Sequence, residues 1–158
     1  MKRLSVLFVC LGNICRSPAA EAIFLDLIDQ KGLKDRFIVD SAGTGSWHVG
    51  KKADYRMREA AIQRNINILS RARKIDETDF EKFNFIIAMD NSNFDNILKM
   101  KNRLNSTTDY AKILKMQDFS SEFQEKEVPD PYFGGEEGFQ YVLDILSDSV
   151  RGFLKSIS

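Results

Sequence analysis

The sequence predicts an α/β fold: a three-layer α/β/α arrangement in which a central four-stranded parallel sheet lies between flanking helices. Short apolar runs alternate with longer segments whose apolar residues recur at helical spacing. The runs are apolar at nearly every position, which is typical of strands that are covered on both faces. The 158 residues contain no repeat and no Pro/Gly/Ser-rich linker, so we expect residues 1–158 to form a single domain.

The first half of the chain is predicted to run strand, helix, strand. Residues 4–9 (LSVLFV) form the first buried strand. Ser17 and Pro18 predict the start of a helix, with the serine as N-cap and the proline at the first helical position. Residues 37–42 form the second strand, and residues 43–54 form a loop. The apolar face of the helix consists of Ala20, Ile23, Phe24, Leu27 and Ile28.

Helices and strands alternate again in the second half. Asp54 is the predicted cap of a helix over residues 55–64, with Asn65 at its end. Residues 85–89 (FIIAM) form the third strand, and residues 111–116 form a weaker fourth. A helix with apolar positions Phe94, Ile97 and Leu98 lies between them. The apolar face of a long C-terminal helix consists of Phe139, Val142, Leu143, Leu146, Val150, Phe153, Leu154 and Ile157.

The charge balance excludes two classes of binding protein. The chain has 23 Lys and Arg residues against 23 Asp and Glu residues, a formal net charge of zero. A sequence-independent nucleic-acid binder or an adaptor for anionic membranes needs a surplus of cations. No apolar run approaches the ~20 residues of a membrane-spanning helix. We therefore expect neither nucleic acid nor a membrane as a partner.

The chain has too few cysteines and histidines for a disulfide-held scaffold or for a zinc centre. The two cysteines, Cys10 and Cys15, are too few for a scaffold that several disulfides hold together. Because His48 is the only histidine, a zinc centre built from Cys and His is nearly excluded. We expect no metal ion and no cofactor, and a reducing, cytoplasmic environment.

The most informative segment follows the first strand and has the pattern Cys-x5-Arg-Ser (residues 10–17, CLGNICRS). A short strand-to-helix turn directs backbone N–H groups inward, and the helix N-terminus adds positive potential. Arg16 adds a planar fork that matches two phosphate oxygens. The predicted phosphate cradle consists of Leu11, Gly12, Asn13, Ile14, Cys15, Arg16 and Ser17.

Cys10 lies where the strand enters this cradle, so positive groups surround its sulfur and favour the thiolate. A thiolate beside a bound phosphate is a nucleophile in position to attack. The alternative is that Cys10 ends the strand as a small apolar residue. The Arg and Ser-Pro at the required spacing favour the catalytic interpretation.

The phosphate-binding loop of the low-molecular-weight protein tyrosine phosphatases resembles residues 9–22 (VCLGNICRSPAAEA). The resemblance covers essentially the whole chain in the family's order. It continues through DSAGT (40–44), Trp47-His48-x-Gly50, Arg71-Ala72-Arg73, AMD (88–90) and Asp130-Pro131-Tyr132. It implies hydrolysis of a phosphotyrosine-containing protein or a small aryl phosphate, inhibited by phosphate and vanadate. We expect a mainly monomeric chain with at most weak self-association.

The catalytic roles of four residues combine the resemblance with the chemistry of the side chains. Cys10 would attack phosphorus, and Arg16 would hold the equatorial oxygens. Asp130 would protonate the leaving phenolate and then deprotonate the hydrolytic water. Ser17 would donate to the Cys10 sulfur when it leaves. For Asp130, which lies between two prolines, a role in starting a turn is the alternative.

The resemblance also suggests what surrounds the phosphate. Trp47 and Tyr132 would flank the phosphotyrosine ring, with Leu11 at the loop edge, and a phosphoserine would be too short for such a crevice. Trp47 lies in a Gly/Ser-rich loop, which favours exposure over burial in the core. His48 is interpreted as a loop or packing residue without a catalytic role.

Asn13 resembles the residue that orders the family's loop through a positive φ and a bond network that includes Ser41. Many family members carry His where this chain has Ser70, so the support for that network is expected to differ here. Cys15 is either a buried filler or a resolving thiol that forms a reversible disulfide with Cys10, and the resemblance implies the second role.

Three other functions fit less well. Thioredoxin-coupled arsenate reductases use further cysteines downstream of the nucleophile, and none follows Cys15. Residues 45–51 match the spacing of a nucleotide-binding P-loop, but Lys52 stands where Ser or Thr would bind Mg²⁺. A phosphotyrosine-binding module without catalysis would lack the nucleophile or the acid, whereas Cys10 and Asp130 are both present.

Overall fold

Four strands form one parallel sheet in the computed structural model, which describes residues 2–104, 111–132 and 134–158. The strands are β1 (Leu4–Cys10), β2 (Phe37–Gly43), β3 (Phe85–Ala88) and β4 (Lys112–Lys115), in the order β2-β1-β3-β4. Cys10 is in register with Gly43, and Val9 with Ala88. The carboxyl ends of β1, β2 and β3 therefore meet at one edge of the sheet.

Five helices cover the two faces of the sheet, which confirms the predicted three-layer arrangement. They are α1 (Arg16–Gln30), α2 (Tyr55–Ile62), α3 (Asp79–Lys82), α4 (Asn91–Arg103) and α5 (Glu136–Ile157). Alternate residues of β1 point to opposite faces, as the two-residue period of a strand requires. Phe8 belongs to the apolar core that also contains residues of α1, α2 and α5, whereas Val9 belongs to the core that contains residues of α3 and α4. In the described ranges, no helix combines the length and apolar character that crossing a bilayer requires.

Aromatic rings fill the larger of the two cores. The Phe153 ring on α5 lies 5.9 Å from that of Phe24, 5.4 Å from Phe85 and 5.3 Å from Phe119, measured between centroids. Gly152 lets α5 come this close, because a Cβ at that position would lie 2.0 Å from the Phe119 carbonyl oxygen. The glycine that weakens the helix by propensity therefore permits its packing.

Most predicted helix and strand ends lie within two residues of the observed ones. Asp54 accepts a hydrogen bond from the Arg56 N–H as a cap, and Asn65 has a φ of 60°, as predicted. The prediction that Ser17 caps α1 is wrong. The helix already begins at Arg16, and the Ser17 hydroxyl lies 3.0 Å from the Cys10 sulfur instead. The short helix α3 was not predicted, since four residues are too few for a periodic pattern.

Candidate functional site

The loop between β1 and α1 turns its carbonyl groups outward. The carbonyl oxygen of Cys10 accepts from the Thr44 N–H, at 2.9 Å between oxygen and nitrogen. The Leu11 carbonyl likewise accepts from the Gly45 N–H at 2.9 Å, and the Ile14 carbonyl accepts from the Asp54 N–H at 2.7 Å. Because each of these carbonyls is held from outside, the loop encloses N–H groups rather than oxygens.

The enclosed N–H groups lack protein acceptors. Among the described residues, no backbone N–H of residues 12–17 donates to a backbone or side-chain oxygen. Residues 13–17 are nevertheless buried. A buried donor without an acceptor costs about 1–3 kcal/mol, so the loop favours an acceptor with several oxygens. The positive N-terminal end of α1 favours a negatively charged ligand. An oxyanion is both negatively charged and rich in acceptor oxygens, so it fits the loop.

The Cys10 sulfur lies beside the Ser17 hydroxyl, whose oxygen Asn13 holds in place. Arg73 donates its backbone N–H to Asn13 Oδ1 at 3.0 Å, so the amide nitrogen of Asn13 faces the opposite way. That nitrogen donates to Ser17 Oγ at 2.8 Å. The Ser17 oxygen is thereby used as an acceptor, and two acceptors lie within reach of its hydrogen, the Cys10 sulfur at 3.0 Å and the Ala42 carbonyl at 3.4 Å. When Cys10 is a thiolate, which cannot donate, the sulfur is the nearer acceptor for this hydrogen. A thiolate is stabilised by such a bond.

Asn13 is held in the left-handed conformation by a buried polar network. Its φ is 57°, and its amide also donates to Ser41 Oγ at 3.0 Å. Ser41 in turn donates to Glu21 at 2.5 Å. Burial raises the pKa of Glu21, and hydrogen bonds from Ser41 and Ser70 oppose the shift. Ser70 thus takes part in this network, and the prediction that Asn13 has a positive φ and a bond network that includes Ser41 is confirmed.

Arg16 is buried and anchored from one side. Its Nη1 donates to Asp90 Oδ2 at 2.7 Å and to the Val128 carbonyl at 3.0 Å. Burial opposes the charge, but the nearby Cys10 sulfur and the bond to Asp90 outweigh it and raise the pKa of the guanidinium. The other side of the fork, Nη2, lies 3.6 Å from Asp130 Oδ2. A fixed cation with one side turned to the crevice can bind two oxygens of a phosphate.

Replacing Asp90 with Asn is expected to weaken oxyanion binding because the buried Arg16 loses its anionic partner. The inhibition constant for phosphate and the KM for an aryl phosphate should rise about 10-fold or more, a loss of roughly 1.4 kcal/mol. Asn keeps an oxygen for the Asn93 N–H, which Asp90 caps at the start of α4. Steady-state kinetics with phosphate as the inhibitor measures the change.

Asp148 provides the matched control for Asp90. Its carboxylate accepts from the backbone and hydroxyls of residues 120–122, and neither Asp148 nor these residues line the crevice. Asp148→Asn should lower the melting temperature and leave phosphate inhibition unchanged. If Asp90→Asn likewise lowered the melting temperature but left phosphate inhibition unchanged, the assignment of Asp90 to the anchoring of Arg16 would be wrong.

Asp130 faces the crevice and also begins a turn. Its Oδ1 accepts from the Tyr132 N–H at 3.1 Å, which is the turn that the flanking prolines suggest. Its Oδ2 is the atom that approaches Arg16, and its side chain is 39% exposed. One carboxylate therefore has one oxygen in the turn and one oxygen toward the crevice.

The crevice has a volume of about 240 Å³ and apolar walls. The residues that line it are Cys10, Leu11, Gly12, Ile14, Cys15, Arg16, Trp47, His48, Asp130 and Tyr132. Trp47 is 70% exposed, so the predicted exposure of this tryptophan is confirmed. Arg56 holds the Tyr132 wall, because its Nη2 donates to the Tyr132 carbonyl at 2.8 Å and its guanidinium lies 5.6 Å from the ring centroid.

Cys15 differs from Cys10 in its surroundings. Both thiols are free and buried. Burial raises the pKa of the Cys15 thiol, and the carboxylate of Asp54 adds to the shift. Cys15 is therefore a neutral thiol at the wall of the crevice, whereas Cys10 has the Ser17 hydroxyl and Arg16 beside it.

The structure gathers the predicted catalytic residues and adds others that the sequence analysis did not single out. Cys10, Arg16 and Asp130 line one crevice with the predicted wall residues Leu11, Trp47 and Tyr132. The residues missed are Asp90, Glu21, Arg56 and the Val128 carbonyl, and His48 lines the crevice rather than only packing in its loop. A signal for Asp90 existed, since it ends the AMD segment of the resemblance and comes two residues after β3, a strand that neighbours β1.

Comparison with known proteins identifies close relatives over nearly the whole chain. Residues 5–158 match the family model of the low molecular weight phosphotyrosine protein phosphatases. The low molecular weight phosphotyrosine protein phosphatase of Schizosaccharomyces pombe is 44% identical over 158 residues, which cover 99% of each chain.

Solved structures extend the similarity to the fold. A protein tyrosine phosphatase from Entamoeba histolytica, solved with Hepes in the active site, superposes with a TM-score of 0.88 at 43% identity and covers 98% of this chain and 96% of its own. The drosophila arginine phosphatase DARP superposes with a TM-score of 0.92 at 35% identity, covering 100% and 98%. Phosphatases named for different phosphorylated groups thus share this fold.

Proposed function

Since the chain belongs to the low molecular weight phosphotyrosine protein phosphatase family and is a protein tyrosine phosphatase, we propose that it hydrolyses aryl phosphomonoesters through a phosphocysteine intermediate without a metal ion. The observation that carries the proposal is the loop beside the Cys10 sulfur, whose N–H groups have no protein acceptor within the described residues, with Arg16 anchored next to it. The site residues proposed are Cys10, Arg16 and Asp130 for catalysis and residues 11–17 for phosphate binding.

In the first step, the Cys10 thiolate attacks phosphorus and the P–O bond to the phenol breaks. The inward N–H groups and Arg16 bind the equatorial oxygens, whose charge they balance in the transition state. A phenol has a pKa of ~10, so a leaving phenolate departs more readily when it receives a proton. Asp130, whose Oδ2 faces the crevice, supplies that proton.

In the second step, water hydrolyses the phosphocysteine. Asp130, now ionised, accepts a proton from the water as its oxygen attacks phosphorus. The P–S bond breaks, and the Ser17 hydroxyl stabilises the departing Cys10 thiolate, from which it lies 3.0 Å away. Inorganic phosphate then leaves. Phosphate and vanadate inhibit the enzyme because they occupy the same cradle.

The walls of the crevice favour an aryl substrate. Leu11, Trp47 and Tyr132 offer apolar and aromatic surface to a ring, and a phosphoserine is too short to reach these walls while its phosphate contacts Cys10. Since a relative of the same fold is named an arginine phosphatase, phosphoarginine is the competitor to test. A guanidinium carries charge or polar N–H groups, which apolar walls do not bind well.

Two further parts of the proposal concern the setting of the enzyme. A thiolate nucleophile needs a reducing compartment to stay reduced, so we place the enzyme in the cytoplasm, acting as a single mainly monomeric domain. Under peroxide, Cys15 is the thiol that would form a disulfide with Cys10, since both line one crevice.

Substrate kinetics in the presence of EDTA test the proposed function. The expected order of kcat/KM is phosphotyrosine and p-nitrophenyl phosphate first, with phosphoserine and phosphoarginine lower by about 100-fold or more, a difference of roughly 2.7 kcal/mol. EDTA should leave every rate unchanged. If phosphoarginine were hydrolysed faster than phosphotyrosine, the assignment of an aryl substrate would be wrong. Loss of activity with EDTA would contradict the proposal that no metal ion is needed.

A further inference from the structure

Trp47 separates the active-site crevice from a second cleft of about 300 Å³. Leu11 and Trp47 line both, so a molecule bound in the crevice can continue into the second cleft. The other residues that line the second cleft are Thr44, Gly45, Lys74, Ile75, Asn96, Ile97, Lys99, Met100 and Arg103.

The rim of this cleft is cationic. Lys74, Lys99 and Arg103 are exposed, and no Asp or Glu is among the lining residues. None of the three side chains forms an ion pair within the part of the chain that the structure describes. The chain as a whole has a formal net charge of zero, so these cations form a local excess rather than part of a generally basic surface.

The floor of the cleft is apolar, with polar groups at its sides. Ile97 and Ile75 are buried, and Met100 is half-buried. Positions 96, 99, 100 and 103 recur at helical spacing, so one face of α4 forms a wall of the cleft. Thr44 also lines the cleft, and its buried hydroxyl has no partner among the described residues. An occupant with apolar stems and oxygen acceptors matches this lining.

A further cleft, next to the Tyr132 wall of the active-site crevice, carries the reverse charge. It lies between α2 and α5 and is lined by Glu59, Glu136 and Glu137 together with Arg56, which donates to the Tyr132 carbonyl. A chain that contacts both clefts therefore meets one cationic and one mainly anionic surface. Such a gradient distinguishes the two directions in which a peptide can lie.

We propose that the second cleft, beside Trp47, binds an acidic segment of the protein substrate that flanks the phosphotyrosine. The proposal rests on the proposed function and adds to it a substrate preference. Glu or Asp side chains fit the cationic rim, and the stem of a glutamate fits the apolar floor. Nucleic acid is less suitable, because the cleft opens into a crevice whose walls fit a phosphotyrosine ring, and three cations release few counterions.

Kinetics on matched peptides test this preference. Two pairs of phosphotyrosine peptides are compared. In the first pair, three Glu or three Gln residues precede the phosphotyrosine, and in the second pair they follow it. With the wild type at low salt, one of the Glu peptides should have a kcat/KM about 10-fold above its Gln counterpart, mainly through a lower KM. At about 0.5 M salt the ratio should shrink, since these cations are exposed.

The double variant Lys99→Glu/Arg103→Glu should abolish or invert the Glu-to-Gln ratio while its rate on p-nitrophenyl phosphate stays at the wild-type level. Lys31→Glu/Lys155→Glu, which changes two lysines of a different cleft, is the matched control and should keep the ratio. An unchanged ratio in the first variant, or no preference in the wild type, would overturn the proposal.

Two other outcomes would overturn the proposal for different reasons. A wild type that hydrolyses neither p-nitrophenyl phosphate nor any of the peptides would overturn the proposed function, and this proposal with it. A single-stranded oligonucleotide that inhibits the wild type but not the Lys99→Glu/Arg103→Glu variant, combined with equal rates on Glu and Gln peptides, would assign the cleft to nucleic acid and overturn the peptide proposal.

Discussion

Replacing Cys10 with serine is expected to lower kcat on phosphotyrosine by about 10⁴-fold or more, because a serine hydroxyl in this loop remains protonated and is a poor nucleophile. Binding should survive. The loop N–H groups and the anchored Arg16 do not depend on the sulfur. A fixed-time assay of phosphate release measures the loss of turnover, and titration calorimetry with a phosphotyrosine peptide measures the retained binding.

The Cys10→Ser result is informative only if the loop keeps its shape. The bond between Cys10 and Ser17 is replaced by one between two hydroxyls, and Asn13 still donates to the Ser17 oxygen and holds it in place. The melting temperature and the affinity for inorganic phosphate should therefore stay close to the wild-type values. A variant with wild-type kcat would refute the assignment of the nucleophile.

Removing the carboxylate of Asp130 is expected to have the second largest effect, about 10²–10⁴-fold in kcat for phosphotyrosine. The loss should depend on the leaving group. A nitrophenolate leaves without a proton, whereas a phenolate of pKa ~10 needs one. Across a series of aryl phosphates, Asp130→Ala should therefore show a steeper decline in rate with leaving-group pKa than the wild type.

Asp130→Asn separates the acid from the turn. Asn keeps an oxygen that can accept from the Tyr132 N–H, as Asp130 does at 3.1 Å, but it has no proton to donate to a leaving group. We expect Asn and Ala to be equally slow on poor leaving groups. If Asn restored the wild-type rate, Asp130 would act by starting the turn, and another group would be the acid.

Local patterns predicted the fold, and they predicted that Cys10 and Arg16 lie on one strand–loop–helix segment. Continuous apolar runs located the strands, and a strand, a loop with Cys-x5-Arg and a following helix are adjacent in sequence, so their geometry follows from local rules. The error at Ser17 arose in the same place. Serine before proline is a good cap by propensity, but here the hydroxyl is needed by Cys10 and Asn13, and the helix begins at Arg16.

The residues that support the site could not be predicted in the same way. Asp90 and the Val128 carbonyl, which hold Arg16, are 74 and 112 residues away from it along the chain. The Arg73 N–H, which orients Asn13, is 60 residues away. Such contacts depend on how β3 and the following loops pack beside β1, and no local period or spacing encodes that.

The central claim is that the phosphoryl group passes through the Cys10 sulfur, and trapping the intermediate tests it most directly. Asp130→Ala should slow hydrolysis of the phosphocysteine, since it lacks the base for water. Rapid quenching with p-nitrophenyl phosphate, followed by mass spectrometry of the peptide that contains residues 10–17, should find one phosphoryl group on Cys10. Turnover with no phosphoryl group on any residue, or with the group on another side chain, would contradict the account.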